Sequence, residues 1–182
     1  MFKLLKEIFR TGEATVKYPF APLHVEKDFR GKPEHDPEQC IACAACTVAC
    51  PPNAIAMATD TDAGTRTWSI DYGRCIFCAR CEEVCPTDAI RLSTDFELAV
   101  TTKADLTRQA VFRLARCEAC DEPFAAAKEV AYVQDLIDKT APSANEAARR
   151  RRSVATCPAC KRARDVATVA ALRFDRQPEE TR

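Results

Sequence analysis

Two hydrophobic periods alternate along this chain. Over the first ten residues, MFKLLKEIFR, Met1, Phe2, Leu4, Leu5, Ile8 and Phe9 share one side of a wheel drawn at about 100° per residue, with Lys3, Lys6, Glu7 and Arg10 opposite. Gly12 supplies a stop just beyond the last apolar position. The spacing predicts a short amphipathic helix with a wide apolar arc. Such a face either folds onto the chain's own core or docks on a membrane surface or a partner. Charges interrupt the apolar positions and no small-residue cleavage site follows, so the segment does not read as a signal peptide.

Residues 17–39 carry Pro19, Pro22, Pro33 and Pro37 with charges between them and read as an extended arm without regular structure. Period two then takes over. Ala54-Ile55-Ala56-Met57 and Ala89-Ile90-Arg91-Leu92 read as short strands, and Thr67-Trp68-Ser69-Ile70 reads as a strand returning after a turn over 59–65. Leu106, Ala110 and Leu114 suggest a helix over 103–116, and a further helix is expected over 125–139. Pro142 and Ser143 break that pattern. Residues 140–153, with Arg149-Arg150-Arg151-Arg152, read as an exposed linker whose arginines are either solvated or set against an acidic partner or anionic lipid.

Cysteine spacing adds chemistry to this outline. Cys40-x2-Cys43-x2-Cys46-x3-Cys50-Pro51 recurs 35 residues later as Cys75-x2-Cys78-x2-Cys81-x3-Cys85-Pro86, within IACAACTVACPPNAI and IFCARCEEVCPTDAI. This is the bacterial run for two 4Fe-4S clusters, in which the fourth cysteine of each motif ligates the other cluster. The expected ligand sets are Cys40, Cys43, Cys46 and Cys85 for the first cluster, and Cys75, Cys78, Cys81 and Cys50 for the second. Small residues between the first four cysteines let the backbone approach an inorganic core. Two zinc sites or a disulfide scaffold are the competing readings, and zinc motifs rarely take this tandem spacing. The second motif carries Arg74, Arg80, Glu82 and Glu83 where the first is uncharged, so the two potentials should differ.

Four cysteines remain. Cys117-x2-Cys120 and Cys157-x2-Cys160 would form one tetrahedral four-thiolate site if the pairs meet, holding zinc or a single iron in rubredoxin-like coordination. A redox-active CxxC is the alternative for either pair. No glycine follows Cys120 or Cys160; Asp121 and Lys161 stand there. His24 and His35 read as ordinary polar residues, because the cysteines already complete the ligand sets.

Composition sets limits. Lys plus Arg number 27, as do Asp plus Glu, so no overall field draws nucleic acid. Part of the 47% hydrophobic content is cysteine, which implies a small core held together by metal and an apo chain that folds poorly. Residues 41–58 are almost uncharged, but four cysteines and Pro51-Pro52 exclude a membrane span. Reduced thiols point to a reducing compartment. No phosphate loop, nucleophile triad or paired-carboxylate site occurs, so the chain reads as a non-catalytic electron carrier rather than an enzyme by itself.

The eight-cysteine core, the amphipathic start, the Tyr18-Pro19 arm and Phe29-Arg30-Gly31-Lys32-Pro33 resemble the ferredoxin-like subunit of complex I. MFKLLKEIFRTGEATVKYPFAPLHVEKDFRGKP, CIFCARCEEVCPTDAI, FELAV and the final CxxC pairs together look more like the ferredoxin subunit of formate hydrogenlyase and related group 4 membrane-bound nickel-iron hydrogenases. The complex I subunit typically lacks the last two pairs. The resemblance implies an α+β fold: an amphipathic helix and docking arm over 1–36, a two-cluster (8Fe-8S) bacterial ferredoxin-like domain over 37–100, and a helical C-terminal segment with a four-cysteine metal knuckle over 101–182. It also implies relay from the iron-sulfur subunit of a formate dehydrogenase-type donor to the nickel-iron hydrogenase small subunit and its large partner. Residues 1–10 would then dock on membrane-arm subunits, leaving the chain peripheral on the cytoplasmic face of the inner membrane. Complex I membership and a metal-stabilised scaffold subunit are the alternatives.

Overall fold

The computed structural model describes residues 2–13 and 15–171, so Met1 of the expected helix, Ala14 of the arm and 172–182 of the C-terminal segment lie outside the described residues. Helix α1 spans Phe2–Thr11 and ends as the Gly12 N–H bonds the Ile8 carbonyl at 3.0 Å with Gly12 at φ +60°. None of α1 is buried. Phe2 is 87% and Phe9 83% exposed, so the apolar arc does not fold onto the chain's own core.

The central unit is built twice. Strand β1 (Pro33–His35) precedes helix α2 (Ala45–Ala49), which leads to the hairpin of β2 (Ile55–Asp60) and β3 (Thr65–Asp71). Helix α3 (Arg80–Glu83) and strand β4 (Ile90–Leu92) follow. The β1/β4 pair joins Pro33 to Leu92, Glu34 to Arg91 and His35 to Ile90. The β3/β2 pair joins Trp68 to Met57, Ser69 to Ala56 and Ile70 to Ile55. Each of these pairs maps onto its counterpart through the 35-residue repeat, giving a pseudo-twofold about the core. Trp68, Ile70, Ile90 and Pro33 are the largest fully buried side chains, and the Tyr72 hydroxyl donates to the Pro33 carbonyl at 2.9 Å.

The arm is more ordered than its prolines suggest. Its residues 33–35 form β1, with Pro33 opening the strand where its missing N–H disturbs the ladder least. Just before it, the Gly31 N–H bonds the Ser93 carbonyl at 2.9 Å and the Ser93 N–H bonds the Lys32 carbonyl at 3.0 Å. A Cβ at Gly31 would come within 2.7 Å of the Ser93 carbonyl oxygen, so only glycine allows this approach. Phe96 packs against Tyr18 and Phe29, with ring centroids 6.1 and 5.7 Å away, and Tyr18 donates to Glu97.

Residues 103–116 are not a helix beyond one 3₁₀ turn at Lys103–Leu106; strand β5 spans Thr107–Arg116. A spacing of four residues fits two strand repeats as well as about one helical turn. The intervening positions decide: Ala110, Phe112 and Leu114 are buried while Val111 and Arg113 are exposed. Strand β5 pairs antiparallel with β3 and with β6 (Pro123–Ala126), extending the order to β2-β3-β5-β6.

Helix α4 (Ala127–Thr140) starts two residues later than expected because Ala125 and Ala126 belong to β6. Residues 140–153 are not a linker, for α5 spans Ala144–Val154. The Ser143 hydroxyl accepts the Glu146 N–H at 3.3 Å, a Ser-x-x-Glu start. Hydrogen bonds from Arg149 and Arg150 hold the Glu146 carboxyl down at about 2, and Arg151 pairs with Asp138 of α4. The arginine run therefore braces a helix. Helix α6 (Pro158–Ala171) completes the described chain, in which no helix is long and apolar enough to cross a membrane.

Candidate metal centres

The repeated loops bend through left-handed backbone at non-glycine residues. Ala42, Ala44 and Asn53 in the first loop have φ of 56°, 65° and 51°; Phe77, Ala79 and Asp88, 35 residues later, have 54°, 66° and 54°. Each such residue costs about 1–3 kcal/mol and persists only where its surroundings demand it. Here the bends turn amide N–H groups onto sulfur. Ala42 N–H reaches Cys40 Sγ at 3.4 Å, matched by Phe77 and Cys75 at 3.4 Å. Ala54 reaches Cys50 at 3.3 Å, matched by Ala89 and Cys85 at 3.2 Å. Converging amides of this kind favour anionic sulfur.

Two cavities lie within these loops. One is lined by Cys40, Cys43, Cys46 and Cys85. The other is lined by Cys50, Cys75, Cys78 and Cys81. Each motif thus contributes three cysteines to one cavity and its fourth to the other, and the sulfur donors and N–H···S bonds fit a pair of cubane clusters.

Burial pushes the Cys40, Cys46 and Cys75 thiols up, and Cys81 up to about 12. At Cys85 burial also raises, but N–H groups of Thr87, Ala89 and Ile90 and the Thr87 hydroxyl outweigh it, and the thiol falls below its ordinary value. Metal loading must therefore displace the protons that burial holds on Cys40, Cys46, Cys75 and Cys81.

The first cavity has features the second lacks. His35 stacks on Trp68, with centroids 3.8 Å apart and rings inclined by 14°, and both line the first cavity. Trp68 Nε1 and His35 Nε2 are buried without a protein hydrogen-bond partner. An unpartnered buried donor costs about 1–3 kcal/mol. The indole N–H nonetheless acts to lower the Cys46 thiol against its burial, so it faces that sulfur without a well-formed bond. Burial also lowers the pKa of His35. His35 is therefore not the ordinary polar residue its isolation in sequence suggests. Mapping β1 onto β3 by the repeat would have flagged it.

Third comes a four-sulfur cluster. The Sγ atoms of Cys117, Cys120, Cys157 and Cys160 all lie within 4.8 Å of one another. A tetrahedron with metal–sulfur bonds of about 2.3 Å has sulfur–sulfur edges of about 3.8 Å, and Cys120 and Cys157 stand 3.8 Å apart. Cys117 and Cys120 lie on the turn after β5, where Asp121 takes φ 60° in place of the missing glycine and its carbonyl accepts from Arg116 at 2.9 Å. Cys157 and Cys160 open α6, with the Cys157 N–H on Cys117 Sγ at 3.2 Å. That bond holds the Cys117 thiol down at about 6, whereas hydrogen bonding with Cys120 pushes Cys160 up to about 12.

Residues 39–89 match the family model for the 4Fe-4S dicluster domain. The chain is 49% identical over 162 residues to formate hydrogenlyase subunit 6 of Escherichia coli (strain K12), covering 89% of each. It is also similar to a chain in the structure of the membrane-bound sulfane sulfur reductase, an archaeal respiratory membrane complex. There it is 32% identical with a TM-score of 0.46, over 58% of this chain and 56% of that one.

Proposed function

The chain belongs to the family of formate hydrogenlyase subunit 6, and from that premise we propose that it is the electron-transfer subunit of a formate hydrogenlyase-type membrane complex, holding two 4Fe-4S clusters. The observation that carries the proposal is the pair of twofold-related cavities, each lined by four cysteines drawn from both motifs. Cys40, Cys43, Cys46 and Cys85 hold the first cluster; Cys75, Cys78, Cys81 and Cys50 hold the second. When bound, the clusters supply reversible one-electron carriage. The chain's own residues fix the loops, exclude water with Ala42, Ile55 and Ile90, and aim amide N–H groups at ligand sulfur. The chain supplies no catalytic group of its own.

Residues 1–36 are the docking helix and arm, 37–100 the ferredoxin domain, and 101–182 the segment bearing zinc or a single iron on Cys117, Cys120, Cys157 and Cys160. The exposed arc of α1 sits on membrane-arm subunits, keeping the protein peripheral on the cytoplasmic face of the inner membrane. Electrons enter from the iron-sulfur subunit of a formate dehydrogenase-type donor and leave to the small subunit of a nickel-iron hydrogenase bound to its large subunit. Purifying the tagged full-length chain from native membranes tests these partners. Nickel-iron hydrogenase and formate dehydrogenase-type subunits should co-purify; a full set of quinone-reductase subunits without them would overturn the assignment.

A further inference from the structure

The repeat relates the two cavities, but it does not give them equal linings. Apart from cysteine, the second cavity is lined by apolar side chains, Pro33, Ile55 and Phe77 among them. The first has Trp68 and His35. Shifted by 35 residues, Trp68 falls on Pro33 and His35 on Ile70, neither of which carries a side-chain donor. Resting on the ligand assignment above, we propose that the Trp68 indole N–H, joined by His35, donates to sulfur of the first cluster and holds its reduction potential above that of the second.

Trp68 is 1% exposed, and its Nε1 and the Nε2 of His35 have no protein partner. The 3.8 Å stack locks each ring against the other, so neither turns away without breaking the core. Sulfur is the acceptor chemistry their shared cavity offers. Reduction adds negative charge, which an N–H donor stabilises more than it stabilises the oxidised state, so donation raises the potential. On the same side Lys128 Nζ donates to the Pro37 and Glu38 carbonyls at 2.8 and 3.0 Å, ahead of Cys40, and the Glu38 carboxylate 3.8 Å away offsets its charge, which leaves the indole as the tuning group. Electron transit through the chain then has a built-in order of potentials, with the first cluster as the resting place.

Trp68 is the chain's single tryptophan, so ¹⁵N-tryptophan labels one site. Pulsed hyperfine spectra of the cluster-loaded, partly reduced full-length chain should show ¹⁵N coupling on the cluster that reduces first. Trp68→Phe should abolish that coupling and lower the higher midpoint by roughly a tenfold change in the reduced-to-oxidised ratio at fixed potential, about 59 mV for one electron. The lower midpoint should not move. Absence of coupling in the native protein, coupling on the lower-potential cluster, or a shift confined to that cluster would overturn the inference, and the labelled native chain decides even where the variant fails to load. A chain without 4Fe-4S clusters would refute the parent assignment instead; two clusters without indole coupling would refute the tuning alone.

Discussion

Replacing both Phe2 and Phe9 by alanine separates docking from folding. The two rings are 87% and 83% exposed and lie seven residues apart on one helix, which puts them on one face. Neither contributes to the chain's own core, so the variant's melting temperature should match that of the native chain. On a partner surface each ring would bury its side chain for about 1.5–3 kcal/mol. Together that is about 3–6 kcal/mol, or roughly 10²- to 10⁴-fold in affinity. Binding of purified chain to membranes stripped of this subunit, followed by sedimentation, reads that loss directly. Unchanged binding would refute the docking role of α1. Equal losses of binding and thermal stability would show that the helix packs on its own chain.

Cross-ligation predicts which cysteine variants resemble each other: Cys50→Ser should give the same spectral change on reduction as Cys78→Ser, and Cys85→Ser the same as Cys43→Ser, whereas grouping by motif would contradict it. Cys157→Ser should weaken the hold on one zinc or iron per chain and leave both clusters. With structural zinc worth about 10–16 kcal/mol over four ligands, losing one thiolate costs about 3 kcal/mol, roughly 10² in affinity by chelator competition. Gly31→Ala should push the arm off Ser93 and forfeit about 2–3 kcal/mol across the backbone bonds at residues 31–32 and 93; hydrogen exchange at the Ser93 amide should speed up accordingly.

The repeat, the hairpin and α1 are all legible in sequence because each rests on local spacing. The grouping of cysteines around the two cavities is legible too, since the repeat sets three of each motif in one loop and the fourth beyond it. Strand β5 is not, because Leu106, Ala110 and Leu114 satisfy both periods and only pairing with β3 exposes Phe112 as the residue that chooses between them. Helix α5 hides behind Pro142 and its arginines, although the Ser143-x-x-Glu146 cap was there to be read. The stack of His35 on Trp68 depends on strand register between distant segments, which no window of sequence contains. Left-handed alanines are likewise invisible locally: their propensity is wrong for the conformation, and the turn of amides toward sulfur imposes it.

Iron and acid-labile sulfide analysis of the full-length chain, followed by electron paramagnetic resonance after stepwise reduction, tests the central claim most directly. Two 4Fe-4S clusters on these eight cysteines predict eight cluster irons, eight sulfides, and two signals that broaden each other once both clusters are reduced. Zinc in place of iron at the eight positions, or a single cluster with no interaction, would contradict it.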